Sequence, residues 1–252
     1  MQIVILGSGN IATQWGKAFL AAGHHITQVY SRTLANAAAL AKLLSSQAID
    51  NLADLHQDAD LYVLALADAA IPTLLPSLPK VKGLVIHCSG ATDMALLQDF
   101  ENYGVAYPVQ SFSKEVDISF TQIPFGIEAN SKQNETLLFD LFASLSNKTF
   151  ACNSEQRLAI HVAAVFANNF SNALFQVANE LLSQHNLPFN LIRPIILETA
   201  AKVQNKLPKD VQTGPASRND EITIRKHLQF ISDNNEWQLI YQQITNLIKK
   251  RG

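Results

Sequence analysis

The chain has 252 residues, of which 48% are hydrophobic and 16% charged, and its formal net charge at pH 7 is −2. This length and apolar content allow one large or two ordinary domains, and we expect two. The longest basic run is the terminal Lys249-Lys250-Arg251, so nothing in the sequence attracts phosphate backbones in general. We therefore predict no nucleic-acid partner.

The cysteines and the apolar runs bear on the compartment. Cys88 and Cys152 lack the paired spacing of a zinc or redox motif and are too few for a disulfide framework, although one bridge between them stays open. The N-terminal apolar run has no basic segment before it, and no later run of 18 uncharged apolar residues follows. We expect a soluble, cytoplasmic protein with no metal site and no membrane partner.

The part of the chain up to residue 152 alternates short β-rich runs with amphipathic helical patterns, which is typical of a parallel sheet covered by helices. The clearest strands are QIVIL, HITQVYS, DLYVLAL and GLVIHCS. Further candidates are VAYPVQSF, FGIEA and KTFAC. The near-continuous apolar character of the early runs indicates strands that are buried on both faces.

Helical patterns fill the rest of the chain. One runs without interruption from Ser154 to about Gln184, and three more helices are predicted in PFNLIRPIILETAAKV, NDEITIRKHLQFIS and NEWQLIYQQITNLIKK. The sequence therefore predicts an α/β domain over residues 1–152 and an all-helical domain over residues 153–252.

A glycine motif joins the first strand to a helix predicted over Ala12–Ala22. In such a G-x-G-x-x-A pattern the first glycine makes a tight turn, the second admits a pyrophosphate, and the small third residue allows close helix–strand packing. The helix N-terminus then faces the anion with its free N–H groups. We predict a Rossmann-type dinucleotide site that includes Gly7, Ser8, Gly9, Asn10, Ile11 and Ala12. The alternative is a purely structural turn.

The end of the second strand indicates which dinucleotide binds. Sites for the unphosphorylated cofactor present an acidic residue here, but no Asp or Glu occurs before Asp50. The strand instead ends in Ser31, Arg32 and Thr33, whose hydroxyls and guanidinium suit a 2′-phosphate. We predict NADP(H) as the cofactor. In the alternative reading, Ser31 or Thr33 only caps the next helix and Arg32 is a solvated charge.

Two later strand ends reach the same edge of the predicted sheet. Ala67 and Asp68 follow the strand in DLYVLAL, and we count both as cofactor-binding residues, although Asp68 also suits a helix cap. Ser89 and Gly90 follow the strand in GLVIHCS and bring small groups near the expected nicotinamide. His87 and Cys88 are read as structural strand residues.

The long helix carries a polar stripe. At 100° per residue its His and amide side chains lie close together in angle, which is unusual for a solvated face. The stripe consists of Arg157, His161, Asn168, Asn172 and Asn179. We predict His161 and Asn168 as catalytic residues, with His161 as the acid/base, and Asn172 as a substrate residue. Equally, the amides could bond a partner helix across a dimer.

The segment TGPASRND is the last candidate site. Thr213, Ser217 and Arg218 together could bind a carboxylate, and we predict Thr213 and Arg218 as substrate residues. The alternative is a turn in which Gly214-Pro215 bends the chain and Asn219 or Asp220 caps the helix that follows.

These motifs carry a family resemblance. GSGNIA, VYSRT, HCSGA, YPVQSF, IPFGIEA, RLAIHVAAVFANNF and TGPASRND occur in the order seen in Rossmann-type NADP oxidoreductases with a helical C-terminal domain of unknown function. That family is similar to pyrroline-5-carboxylate reductase. The resemblance implies NADP at Gly7–Ala12 and Ser31–Thr33, a homodimer through the C-terminal helices, and an active cleft between the domains.

Two departures from these relatives matter. Many members of the family have His where YPVQSF has Tyr107, and a phenol can also donate a proton, so Tyr107 joins the catalytic candidates. The TGP turn lacks the glycine pair and threonines of the reductases, which argues against a proline-type substrate.

The sequence thus predicts an NADP(H)-dependent oxidoreductase that acts on a small, anionic imine or carbonyl compound. No lysine lies between Lys148 and Lys202, so the long helix lacks the ammonium that similar hydroxyacid dehydrogenases use, which favours C=N reduction. The alternative is a non-catalytic NADP(H)-binding sensor or scaffold.

Overall fold

The computed structural model describes residues 1–116 and 118–250. The chain divides into two compact units, Met1–Ala167 and Asn168–Gly252, which we call the sheet unit and the helical unit. This division lies beyond the boundary predicted at residue 152. The reason is that Arg157 and His161, early in the long helix, contact the turn after the strand Leu84–His87 and the strand Tyr103–Pro108 of the sheet unit.

The sheet unit contains eight strands in the order β3-β2-β1-β4-β5-β6-β7-β8. The first six run parallel in the Rossmann order, β7 is antiparallel to β6, and β8 is parallel to β7. This confirms the predicted fold class. The strands are β1 (Gln2–Leu6), β2 (His25–Tyr30), β3 (Gln47–Ile49), β4 (Leu61–Leu64), β5 (Leu84–His87), β6 (Tyr103–Pro108), β7 (Phe125–Ala129) and β8 (Thr149–Ala151).

Helices cover both faces of this sheet. Alternate residues of β1 enter different apolar clusters, Ile3 and Ile5 on one face and Val4 and Leu6 on the other, as a strand with period two requires. The helices of the sheet unit are α1 (Asn10–Ala21), α2 (Leu34–Leu44), α3 (Ile71–Leu74), α4 (Lys132–Ala143) and α5 (Ser154–Ala164). The sequence analysis missed β3 and α4.

A π-helical segment, Val165–Phe170, follows α5, and the division between the units falls inside it. The helical unit continues with α6 (Ser171–Gln184), α7 (Arg193–Lys202), α8 (Glu221–Phe230) and α9 (Asn235–Lys249). Because a π-helix closes its hydrogen bonds over five residues, the spacing of 100° per residue used for the polar stripe does not hold through this segment.

By length and composition alone, the helical run Ser154–Gln184 is apolar enough to cross a membrane. A single helix of this kind is weak evidence for a membrane span, because core helices of soluble proteins pass the same test.

Candidate functional site

The turn between β1 and α1 is built from backbone. Gly7 has a φ of +130°, and a Cβ on it would lie 2.1 Å from the carbonyl oxygen of Ala65, so only glycine fits there. A Cβ on Gly9 would meet no described atom within 4 Å. Gly9 also caps α1 without any side-chain hydrogen bond among the described residues. The first N–H groups of α1 therefore face open space, which is the arrangement that a pyrophosphate needs.

A cavity of about 520 Å³ extends from this turn past the ends of β2 and β4. Among the described residues no carboxylate lines it, and its polar groups are hydroxyls, an amide and one guanidinium. Ser8 Oγ donates a hydrogen bond to Ser31 Oγ over 3.1 Å, which joins the glycine turn to the end of β2. The lining residues are Gly7, Ser8, Gly9, Tyr30, Ser31, Arg32, Thr33, Asn36, Leu52, Ala65, Leu66, Ala67, Ala70, Thr73, Leu74 and Ser77. We call this space the nucleotide cavity.

The structure brings most predicted cofactor residues to this cavity and adds others. Asn36, Thr73 and Ser77 also line it, and the sequence analysis missed all three because no motif marks them. The helix that begins at Leu34 has Thr33 as its N-cap residue without a side-chain hydrogen bond in the described structure, which leaves the Thr33 hydroxyl available. An exposed Arg32 beside these hydroxyls suits a phosphate monoester.

Three residues of the glycine motif do not line the nucleotide cavity. The amide of Asn10 donates to the carbonyl oxygen of Phe112 over 2.8 Å, so its side chain is tied to the segment after β6. Ala12 is fully buried and Ile11 half-buried against the apolar core. For Asn10 the predicted cofactor role is thereby limited to its backbone N–H.

Asp68 opens a short turn, Asp68–Ala70, in which no described side chain makes a capping hydrogen bond. The capping role that the sequence left open for Asp68 is therefore wrong. Its exposed carboxylate follows β4 at the carboxyl edge of the sheet. Burial is the main cause that raises the pKa of Cys88 and of Tyr107, and the charge of Asp68 raises both further.

Two titratable residues, His87 and Cys88, lie at the carboxyl end of β5. His87 is fully buried, and its Nδ1 accepts a hydrogen bond from the backbone N–H of Ser89 over 3.2 Å. Burial, with a contribution from the positive charge of Arg157, lowers the pKa of His87 to about 4. Burial likewise raises the pKa of the Cys88 thiol to about 12. Both groups are neutral at physiological pH and hold a structural place in the strand.

Ser89 and Gly90 shape the turn after β5. The Ser89 hydroxyl accepts hydrogen bonds from the backbone N–H groups of Ala91 and Thr92, at 3.1 and 2.9 Å. A Cβ on Gly90 would lie 2.6 Å from Cγ of His161. Glycine is thus required at position 90 because the imidazole of α5 packs directly on its backbone.

Tyr107 and His161 meet at this point. The Tyr107 hydroxyl and Nδ1 of His161 are 3.1 Å apart, and the two rings lie nearly perpendicular with centroids separated by 5.9 Å. Tyr107 is buried, which raises the pKa of its phenol; the Asp68 carboxylate raises it further and Arg157 opposes both. The phenol is therefore protonated at neutral pH. Both residues of this tyrosine–histidine pair were predicted as catalytic candidates, but their contact was not.

Arg157 lies one helical turn before His161 and is 1% exposed. Its guanidinium forms a salt bridge with Glu128 of β7 and donates hydrogen bonds to the carbonyl oxygen of Thr92, over 2.6 Å, and to Ser154 Oγ, over 3.0 Å. The sequence analysis placed Arg157 on the polar stripe without a role. A lone arginine in an apolar helix was the signal that a buried carboxylate had to face it.

The remaining predicted residues belong to the helical unit. Asn168 and Asn172 are exposed, in the π-helical segment and in α6. Thr213 lines a largely apolar cavity of about 490 Å³ within that unit, so it does not contribute to a polar carboxylate site there. Asp220 caps α8 by accepting a hydrogen bond from the N–H of Thr223 over 3.0 Å, and Arg218 is exposed beside it. The turn TGPASRND therefore has the features of a well-capped turn.

The titratable side chains outside the cavity and the tyrosine–histidine pair include His, Asp and Glu residues and two cysteines. Among residues 1–116 and 118–250, no group of three His, Cys, Asp or Glu side chains could hold a metal ion. Cys88 and Cys152 are both buried free thiols.

The strand order, the glycine turn and the acid-free cavity together define a dinucleotide-binding protein of the Rossmann class. Residues 2–89 match the family described as NADP oxidoreductase coenzyme F420-dependent, and residues 123–248 match the family described as Domain of unknown function (DUF2520).

Comparison with solved structures gives a relative that matches almost the full length of the chain. The chain is 40% identical, over 99% of its length and 98% of the other chain, to a protein from Bacteroides fragilis described as a "putative NADP oxidoreductase", with a TM-score of 0.93. The chain therefore belongs to this family of two-domain NADP oxidoreductases, and its cofactor is NADP(H). The resemblance inferred from the sequence motifs is confirmed.

More distant structures share the fold. A reductive aminase from Aspergillus terreus, solved with NADPH and ethyl-5-oxohexanoate, is 14% identical over 100% of this chain and 94% of its own, with a TM-score of 0.77. A 1-pyrroline-5-carboxylate reductase from Streptococcus pyogenes is 16% identical over 99% of this chain and 98% of its own, with a TM-score of 0.66. A comparison with curated proteins gives no significant match.

Proposed function

We propose that the protein reduces a small imine or carbonyl compound with NADPH, and that Tyr107 donates the proton in this reaction. The observation that carries the proposal is the hydrogen bond between Tyr107 and His161 at the carboxyl edge of the sheet, the edge at which doubly wound folds bind their ligands. Bound NADPH would supply the hydride.

Residues of the chain would bind the cofactor and donate the proton. The N–H groups at the start of α1 would hold the pyrophosphate, while Ser31, Arg32 and Thr33 would hold the 2′-phosphate. The protonated Tyr107 would then donate to the substrate nitrogen or oxygen, and His161 orients the phenol through Nδ1. That Asn168 and Asn172 bind polar groups of the substrate stays a prediction from the sequence.

The sequence favours an imine over a ketone, because no lysine lies between Lys148 and Lys202 to serve as the acid/base for a carbonyl substrate. An anionic group on the substrate remains a prediction from the sequence.

The test is a substrate screen that follows the absorbance of the reduced nicotinamide. Cyclic imines with and without a carboxylate, and α-keto acids with and without ammonia, are offered to the NADPH-loaded protein. We expect imines to be reduced, and expect Tyr107→Phe to lower that turnover by about a hundredfold or more without weakening NADPH binding. Tight NADPH binding with no turnover of any compound would instead favour the sensor or scaffold role.

We also propose that the protein is a homodimer through its helical unit. That unit buries few apolar side chains and exposes many, among them Ile195 and Leu197 at 64% and 72%. Exposed apolar surface on this scale marks an interface. A second copy fits better than a bilayer, because the run Ser154–Gln184 contains the Arg157 ion pair and amides that are costly in lipid.

Light scattering after size exclusion checks this proposal. We expect twice the chain mass for the native protein and a monomer for Leu197→Glu. Asn205→Asp, at an exposed polar position of the same unit, is the control that stays dimeric. A native monomer would refute the proposal, and spontaneous binding to lipid vesicles would point to the bilayer instead.

A further inference from the structure

The start of α5 is fastened to the sheet unit by a buried network. Arg157 bridges three elements: it pairs with Glu128 on β7, bonds the Thr92 carbonyl in the turn after β5, and bonds Ser154 on its own helix. Glu128 in turn accepts hydrogen bonds from the N–H and the hydroxyl of Ser154, at 3.0 and 2.9 Å. The first turn of α5 is thus held at several points.

This network lies on the side of α5 that carries His161. Residues four apart in a helix project from the same face, so Arg157 and His161 lie one above the other. His161 in turn contacts Gly90, in the same turn whose Thr92 carbonyl Arg157 binds, and reaches Tyr107. One side chain therefore fixes both the helix that carries the imidazole and the turn on which the imidazole packs.

We propose that Arg157 is a positioning residue, which holds His161 in hydrogen-bonding distance of Tyr107 by tying α5 to β7 and to the turn after β5. This proposal rests on the role of Tyr107 as the proton donor. It gives the buried ion pair a function beyond folding, since the bond between Tyr107 and His161 joins residues 54 positions apart and needs both elements in register.

The geometry explains why arginine occupies the position. A planar guanidinium presents donors in several directions at once, and Arg157 uses them on a carboxylate, a carbonyl and a hydroxyl. A lysine could keep the charge opposite Glu128, but its single nitrogen cannot replace two nitrogens, of which Nη1 contacts Glu128 while Nη2 contacts Thr92 and Ser154.

The experiment compares the wild type with a double variant, Arg157→Met with Glu128→Leu, which removes both buried charges so that neither is left unpaired. Nitrogen NMR of the imidazoles, with the His161 signal assigned by its absence in His161→Gln, reports the bond to Tyr107 without any substrate. NADPH affinity is measured in parallel, and kcat and KM are measured on the best imine of the screen.

We expect the double variant to lose the hydrogen-bonded His161 signal and to retain NADPH affinity within about twofold. Its kcat should fall roughly tenfold to a hundredfold, the scale of a misplaced catalytic group, with less change in KM. If the double variant does not fold, Arg157→Lys replaces it and should shift the same signal.

An unchanged His161 signal in the variant would overturn the proposal, whatever happens to kcat, because Arg157 would then not act through His161. Failure of the wild type to reduce any compound would refute the proposed function instead, and the NMR comparison would still decide the positioning role.

Discussion

The nucleotide cavity and the tyrosine–histidine pair lie along the carboxyl edge of one sheet, yet they are built in opposite ways. The cavity is assembled from backbone and short side chains on neighbouring segments, and its key constraint is the absence of a Cβ at Gly7 and Gly9. The pair depends on two large side chains 54 positions apart and on a buried ion pair beneath them.

This difference shows which half of the site tolerates change. A backbone site persists as long as the strand–turn–helix unit forms, so it suits a cofactor that many enzymes share. A side-chain site can be altered one residue at a time, so it suits a substrate that differs between relatives. Four predictions test this contrast, beginning with the substitution that should change cofactor binding most.

Gly9→Val should abolish NADPH binding, with a loss of a thousandfold or more, about 4 kcal/mol. The valine would occupy the space left for the pyrophosphate, but it would meet no described protein atom, so the melting temperature should not change. Calorimetric titration and thermal melting check both parts. Gly7→Ala is the contrasting variant and should destabilise the fold itself, because its Cβ would collide with Ala65. Tight NADPH binding by Gly9→Val would contradict the placement of the pyrophosphate.

Tyr107→Phe should lower kcat by about a hundredfold to ten-thousandfold, the usual contribution of a general acid, while NADPH affinity stays within about twofold. The phenylalanine keeps the ring packed but removes the proton and the bond to His161. Tyr103→Phe, at the other end of the same strand, is the matched control and should retain full activity. If Tyr107→Phe turned over imines at the wild-type rate, the proton would have to come from another group.

The native protein should lose stability as the pH falls from about 6.5 to about 4. Burial lowers the pKa of His87 from 6.5 to about 4, so in this window the unfolded chain binds a proton that the native state does not. The free energy of unfolding should fall by on the order of 3 kcal/mol across it. Urea denaturation at several pH values measures this slope.

His87→Asn should flatten that slope, because the amide oxygen can still accept the N–H of Ser89 but does not titrate. The exposed His25 supplies the control, and His25→Asn should leave the slope as it is. An equally steep slope in His87→Asn would assign the acid sensitivity to another group.

Arg32→Asp should weaken NADPH binding by roughly tenfold to a hundredfold, about 2 kcal/mol, and should improve NADH binding. The substitution replaces a phosphate donor with a carboxylate that suits a ribose 2′-hydroxyl. Affinities for the two cofactors measured side by side give the ratio. Lys42→Asp makes the same change of charge on α2, away from the nucleotide cavity. It should not alter the ratio of the two affinities. If Arg32→Asp left the ratio of NADPH to NADH affinity unchanged, Arg32 would not be a ligand of the 2′-phosphate.

The predicted fold was largely correct because its signals are local. Buried strands, a glycine turn and amphipathic helices each leave a pattern within a short window, and these patterns placed seven of the eight strands. β3 was missed because Gln47–Ile49 is too short to show any period. The boundary at residue 152 followed a change in composition, whereas the structure divides later, where the contacts of α5 with the sheet unit end.

Only part of the candidate site could be predicted from the sequence. Ser31 and Arg32 follow the glycine motif at a known spacing, so the phosphate chemistry could be inferred from position alone. Asn36 and Ser77 reach the cavity through the folding of later segments, and no spacing rule connects them to it. His161 was chosen for its chemistry, and the π-helical segment after it made the angular argument for Asn168 and Asn172 unreliable.

The doubly wound sheet, the glycine turn and the preference for NADP(H) could all be inferred from local sequence, because each depends on residues that are close together along the chain. The contact of Tyr107 with His161 over Gly90, and the ion pair of Arg157 with Glu128, became visible only in the fold. Such contacts depend on strand order and on the packing of α5, and the physical interactions that set these act between residues far apart in sequence.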